Sequence, residues 1–169
     1  MTAYEKIFLL NTLIGNKGVR PLSEEFWTDV RNQTELVVEE AAETLDACIE
    51  EDTKELIDGV ADIMVVAIGL FQKLQLCGVD IDEALDLVCN NNLEKFHKTA
   101  EHANETVDYY TAKEVETFVR LSTMEDGVEY YAVIRKADGK MLKPHDFVGV
   151  DLSEIVGMVT KVSEMDDGE

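Results

Sequence analysis

The sequence predicts a mainly α protein, a four-helix-bundle-type core with a small antiparallel β appendage at the C-terminus. Three observations carry that expectation. Four segments with the spacing and caps of helices, joined by short loops, fill about the first hundred positions. One of them, Ile57 to Phe71, is apolar nearly all round, as a buried helix is. Beyond about Tyr110 the composition turns to β-branched and aromatic residues punctuated by Asp-Gly pairs.

The first helix is expected over residues 4–14, with Gly15 to Pro21 as its exit loop. Ser23 is placed to cap a second, with Glu24 and Glu25 in the first turn where the helix dipole favours acids. It should run to about Glu50, with a break near Asn32. Asp52 caps a third, which ends at about Leu76 before Gly78. Asp80 or Asp82 opens a fourth, carrying Ala84, Leu85, Val88 and Leu93 to about His97. Glu116–Ser122 and Glu129–Lys136 read as strands, with turns at Asp126-Gly127 and Asp138-Gly139. The acidic tail from Ser163 is expected to fray.

A length of 169 residues with 46% hydrophobic content allows one well-packed domain and a small appendage. The division expected is an all-α domain over residues 1–107 and the β appendage with its tail over 108–169. The 36 acidic against 15 basic residues, a formal charge of −21, argue against a duplex nucleic acid partner, which needs clustered Lys and Arg. No membrane segment is expected. The most apolar stretch, Gly59 to Phe71, is shorter than the roughly 20 residues of a membrane helix and carries Asp62. Cys48, Cys77 and Cys89 show no paired spacing and read as buried thiols in a reducing cytoplasm, and the N-terminus has no signal-peptide pattern.

The chemistry lies in the acids. Glu39, Glu40, Glu43, Asp46 and Glu50 share one side of the second helix, and no Lys or Arg lies between Arg31 and Lys54 to relieve their repulsion. A wet acidic face is the ordinary reading of such a helix. The third helix weighs against it. Asp62 lies inside the apolar run, where an isolated carboxylate costs several kcal/mol unless it is paired, protonated or bound to a metal. Asp58, one turn earlier, is also an acid. Two helices presenting carboxylates side by side can enclose a hard cation with oxygen ligands, Mg2+ or Mn2+. Zinc is disfavoured, because His97, His102 and His145 form no ligand pair at helical spacing.

Glu39-Glu40-Ala-Ala-Glu43, followed a helix later by Asp58-Gly-Val-Ala-Asp62 and an apolar run, resembles the MazG and phosphoribosyl-ATP pyrophosphohydrolase superfamily of all-α nucleotide pyrophosphohydrolases. Asn92-Leu-Glu-Lys95-Phe96 is similar to a segment with which its members close their core and contact the nucleotide. The pattern departs at Gly59, where the family has a Glu three residues before the Asp; Glu55 and Asp58 satisfy that spacing one turn earlier.

The resemblance implies Mg2+-dependent hydrolysis of a nucleoside triphosphate, dNTP or NTP, between the α and β phosphates. Glu40, Glu43, Asp58 and Asp62 would be metal ligands, with Mn2+ able to substitute for Mg2+. Glu39 and Glu40 would serve the attacking water, and Asn92 and Lys95 would steady the phosphates. A homodimer or homotetramer is expected, since the third helix is apolar on more sides than its neighbours can cover. The rival expectations are the phosphoribosyl-ATP enzyme of histidine biosynthesis, a non-catalytic acidic interaction protein and a metal-buffering bundle.

Overall fold

A computed structural model describes residues 1–165, which form six helices, one two-stranded sheet and two compact units. The mainly α class with a small antiparallel sheet holds. The first unit comprises residues 1–84 and the chain from Leu152; the second is residues 85–151.

In the first unit, α1 (Ala3–Leu13) opens on a reciprocal cap in which Thr2 Oγ1 accepts from the Glu5 amide at 3.2 Å and Glu5 Oε2 from the Thr2 amide at 2.6 Å. Helix α2 (Glu24–Ile49) starts where Ser23 Oγ accepts from the Phe26 amide at 3.1 Å. It is continuous through Asn32, where a break was expected, because one Asn weakens a helix only slightly and neighbouring Gln33 ties α2 to the next helix. Helix α3 (Thr53–Leu76) begins with Asp52 Oδ1 accepting from the Lys54 and Glu55 amides at 2.9 and 3.1 Å. After it, Gly78 turns with φ +79°, a left-handed conformation that suits glycine. The chain then enters α4 (Ile81–Leu93), which begins in this unit and continues in the second.

Helices α2 and α3 form an antiparallel hairpin, and α1 packs on α3. Glycines set the closest approaches: a Cβ on Gly59 would meet Thr44, and one on Gly69 would lie 2.9 Å from Gln33 Nε2. The seam is polar. Gln33 Nε2 donates to the Val66 carbonyl at 3.0 Å, and Lys73 Nζ donates to both Asp29 oxygens at 2.8 Å and to Asn16 Oδ1 at 3.1 Å. Helix α6 (Ser153–Met165) buries Ile155 and Val159, and Arg20 Nη2 donates to the Ser163 carbonyl at 2.8 Å. The expected fraying from Ser163 is therefore corrected over residues 163–165; the rest of the tail lies outside the described residues.

The all-round apolar α3 is not buried as expected. Ile57, Val60 and Met64 are 67%, 52% and 55% exposed, and Leu36, Val38, Leu45 and Ile49 of α2 are exposed as well. Two packed neighbours, α1 and α2, cover only part of its circumference.

The second unit carries α5 (Ala100–Thr111), capped by Thr99, whose hydroxyl accepts from the His102 amide at 3.2 Å. It packs on the hairpin of β1 (Thr117–Thr123) and β2 (Glu129–Arg135), paired antiparallel from Thr117 opposite Arg135 to Thr123 opposite Glu129. Gly127 and Gly139 take φ of +83° and +72° at the two expected turns. The fourth helix stops at Leu93, not at His97, because His97 leaves to exchange backbone hydrogen bonds with Tyr131 at 2.8 and 2.9 Å. Ala103, Thr106, Ala132, Val133, Ile134 and His97 form the buried centre.

Candidate metal centre

The crossing of α2 and α3 positions the acids. Thr44 meets Gly59 at the contact; Glu40 and Glu43 lie within the turn before Thr44, and Asp58 and Asp62 flank Gly59. Thr44 Oγ1 donates to the Glu40 carbonyl at 2.7 Å, which ties the contact residue to the helix turn bearing the acids. Half-buried Glu40 registers the gathering of charge. Its carboxyl is held above the usual carboxylate range, first by desolvation and then by the negative charges of Glu43, Asp62, Glu39 and Asp58. These four are the same acids singled out by spacing alone, so the fold brings each of them within electrostatic range of Glu40.

Among the described residues, none of the five has a Lys or Arg ion partner. Lys54, the cation nearest in sequence to Asp58, is engaged by Glu55; that hydrogen bond is the main reason the Lys54 pKa is raised. Glu55 thus faces Lys54 and does not join the charges acting on Glu40.

Asp62 is exposed, which corrects the expectation of a carboxylate enclosed by apolar side chains. The uncovered flank of α3 leaves it open to water, and the case for this site rests on convergence of charge instead. An all-oxygen, uncompensated donor set fits a hard divalent cation, whose charge would offset the repulsion centred on Glu40. No three of these carboxylates bring ligand atoms within 4.8 Å of one another.

Asn92 and Lys95 belong to the second unit, at the end of α4 and just beyond it. Lys95 Nζ donates to Asn92 Oδ1 and lies 5.9 Å from the centre of the Phe147 ring. The thiols of Cys48 and Cys89 are exposed, so only Cys77 is buried as expected.

One grouping escaped the sequence. His102, His145 and Asp146 each bring a ligating atom within 4.8 Å of the others, the one such set among the described residues. The histidines still form no pair at helical spacing; the grouping arises from residues distant in sequence. His145 and Asp146 stand more than forty positions from His102, so no local spacing could have announced it.

A helical hairpin with opposed carboxylates from its two arms, in a mainly α chain, has the construction of an all-α nucleotide pyrophosphohydrolase. Residues 13–92, which contain all five acids, match the family model for phosphoribosyl-ATP pyrophosphohydrolase. This helical region is similar to that family, part of the MazG-like superfamily, whose members are hydrolases acting on phosphorus anhydrides. No curated protein matches the chain. Among the described residues, no helix is long and apolar enough to cross a membrane.

Proposed function

We propose that the protein hydrolyses a nucleoside triphosphate between its α and β phosphates, releasing the monophosphate and pyrophosphate with Mg2+ bound at the α2–α3 acids. The observation that carries this reading is the set of four carboxylates acting on Glu40, with no Lys or Arg ion partner for them among the described residues. Glu40, Glu43, Asp58 and Asp62 would hold the metal, and Mn2+ would suit the same oxygens. Bound there, the ion supplies charge neutralisation at the phosphate oxygens and acidifies a coordinated water. Glu39 lies one residue from Glu40 and is exposed; it orients and deprotonates the attacking water. Asn92 and Lys95 contribute a hydrogen-bond donor and a positive charge to the phosphates. The chemical step needs only the helices within residues 1–107.

Phosphoribosyl-ATP is a second reading, favoured by the description of the matching family, and it calls for the same bond cleavage. A panel of NTPs, dNTPs and phosphoribosyl-ATP, with and without Mg2+, separates the two readings by which substrate yields monophosphate and pyrophosphate. Orthophosphate as the sole product would overturn the assigned bond.

The same reading includes a homodimer or homotetramer in the cytoplasm. The exposed apolar flank of α2 and α3, from Leu45 and Ile49 to Ile57, Val60 and Met64, supports association of copies into a closed bundle. Sedimentation at micromolar concentration tests it, and a stable, active 19.0 kDa monomer would refute it.

A further inference from the structure

The second unit holds a cluster of side chains that the hydrolytic reading does not use. His102 on α5 stands with Nε2 3.1 Å from Asp146 Oδ1. His145, next to Asp146 on the irregular segment after β2, has its ring centre 5.3 Å from that of His102. Its Nδ1 is 3.1 Å from Thr106 Oγ1, and its backbone amide donates to the same hydroxyl at 3.2 Å. Thr106 is wholly buried, so the hydroxyl and the His145 main chain are fixed together.

His97 supplies an independent observation. It is 1% exposed, neither ring nitrogen has a hydrogen-bond partner, and its ring packs at 88° against His102 with centres 4.6 Å apart. A buried imidazole without partners loses its hydration for nothing in return, which native proteins seldom tolerate. A Lewis acid at the cluster would give one of those nitrogens a bond.

We propose that the second unit binds a transition-metal ion of the zinc class through His102, His145 and Asp146, with His97 as the fourth ligand. The donor chemistry selects the class: imidazole nitrogens suit Zn2+, Co2+, Ni2+ or Cu2+, whereas Mg2+ and Ca2+ prefer oxygen alone. The geometry is close to what such an ion needs. Tetrahedral bonds of about 2.1 Å set neighbouring ligand atoms about 3.4 Å apart, so a set already within 4.8 Å closes by small side-chain rotations. Thr106 completes the arrangement by accepting from Nδ1–H of His145, the tautomer that leaves Nε2 free to coordinate.

Four protein ligands make a closed, structural site with no position for a reacting water. The ion would tie together three pieces of the unit: the His97 edge of the sheet, helix α5, and the segment bearing His145 and Asp146. That segment has no helix or strand between Leu142 and Asp151, and side chains also anchor it: Tyr110 donates to the Lys143 carbonyl at 3.1 Å and Asn91 to the Val148 carbonyl at 2.8 Å.

The test uses the full chain without a histidine tag, stripped by chelator and titrated with Co2+ under excess Mg2+ to occupy the acidic cluster. One Co2+ per chain with intense visible absorption of tetrahedral type is expected, together with displacement by Zn2+ and a raised melting temperature. His145→Ala and Asp146→Asn, both at exposed positions, should abolish the tetrahedral spectrum while leaving the fold intact. Thr106→Val should weaken binding about tenfold, the usual cost of losing an outer hydrogen bond to a ligating histidine. Glu40→Gln and Asp62→Asn should leave the spectrum unchanged. The proposal is overturned if no tetrahedral spectrum appears, or if the spectrum survives His145→Ala or disappears with Glu40→Gln.

Discussion

Gly59 of α3 lies so close to Thr44 of α2 that a Cβ on the glycine would stand 2.5 Å from Thr44 Oγ1 and 3.3 Å from its Cα. A glutamate, the residue that the family resemblance leads one to expect at this position, therefore has no room here.

Gly59→Ala sets two effects against each other. Alanine gains about 1 kcal/mol of helix propensity, while overpacking a contact of this kind costs about 1–3 kcal/mol. The contact should win, because Thr44 Oγ1 is held by the Glu40 carbonyl and its Cα cannot rotate away. Urea unfolding should show a net loss of stability, and turnover should fall as α3 shifts from α2. Adding Thr44→Ala should restore part of both; a single Gly59→Ala variant as stable and active as the parent would show that the spacing at this crossing is not critical.

Asp62→Asn keeps the shape of an exposed side chain, so stability without metal should change by no more than about 0.5 kcal/mol. Under the proposed reading activity should drop by about a hundredfold or more, since the lost charge is one that would hold the metal. The parent should melt at higher temperature with Mg2+, and the variant should lose most of that shift. Retained turnover with an unaltered shift would remove Asp62 from the site.

The Lys73–Asp29 pair yields an order of effects. Lys73 is 9% exposed at its side chain and Asp29 35%, so removing the acid strands a buried ammonium, whereas removing the lysine strands a carboxylate that water reaches. Asp29→Asn should therefore cost more than Lys73→Met. The larger loss should be about 2–3 kcal/mol, below the range for fully buried pairs because Asp29 is partly solvated. Denaturant midpoints check the order, and equal or reversed costs would contradict it.

Asp138 gives the pH dependence. Arg135 donates to its two oxygens at 2.8 and 2.5 Å and the Lys140 amide at 3.2 Å, and the Arg135 hydrogen bonds foremost hold its pKa down to about 2. A carboxyl whose folded pKa is depressed stabilises fully above its unfolded value, about 3.9, and loses that contribution as pH falls through about 2. Asp138→Asn should lower the melting temperature modestly at pH 7, because the pair is exposed, and the gap should close near pH 2. A gap equal at both pH values would assign the effect to something other than the charge.

The helix boundaries were legible where local chemistry decides them: the Ser23 and Asp52 caps and the Gly78 stop lie where the sequence places them. So were the acids, because helical spacing alone puts Glu40, Glu43, Asp58 and Asp62 on faces that can meet. Exposure of Asp62 was not legible, since an apolar circumference says that a helix wants cover and not whether one chain supplies it. Helix α5 was missed because its buried positions, Ala103 and Thr106, are small or polar and leave no apolar stripe. The histidine cluster was missed because it is assembled by tertiary pairing across sequence distance.

The return of α6 to the first unit affects the order in which the chain can be made. A ribosome releases α1, α2 and α3 early, then the whole of residues 85–151, and only afterwards the helix that brings Ile155 and Val159. The first unit waits through that interval with its acids already in place but one element missing, while the second can fold at once from contiguous chain. Translation that stops at Thr111 would yield the complete carboxylate set on a scaffold never closed by the contact between Arg20 and Ser163, two residues 143 positions apart.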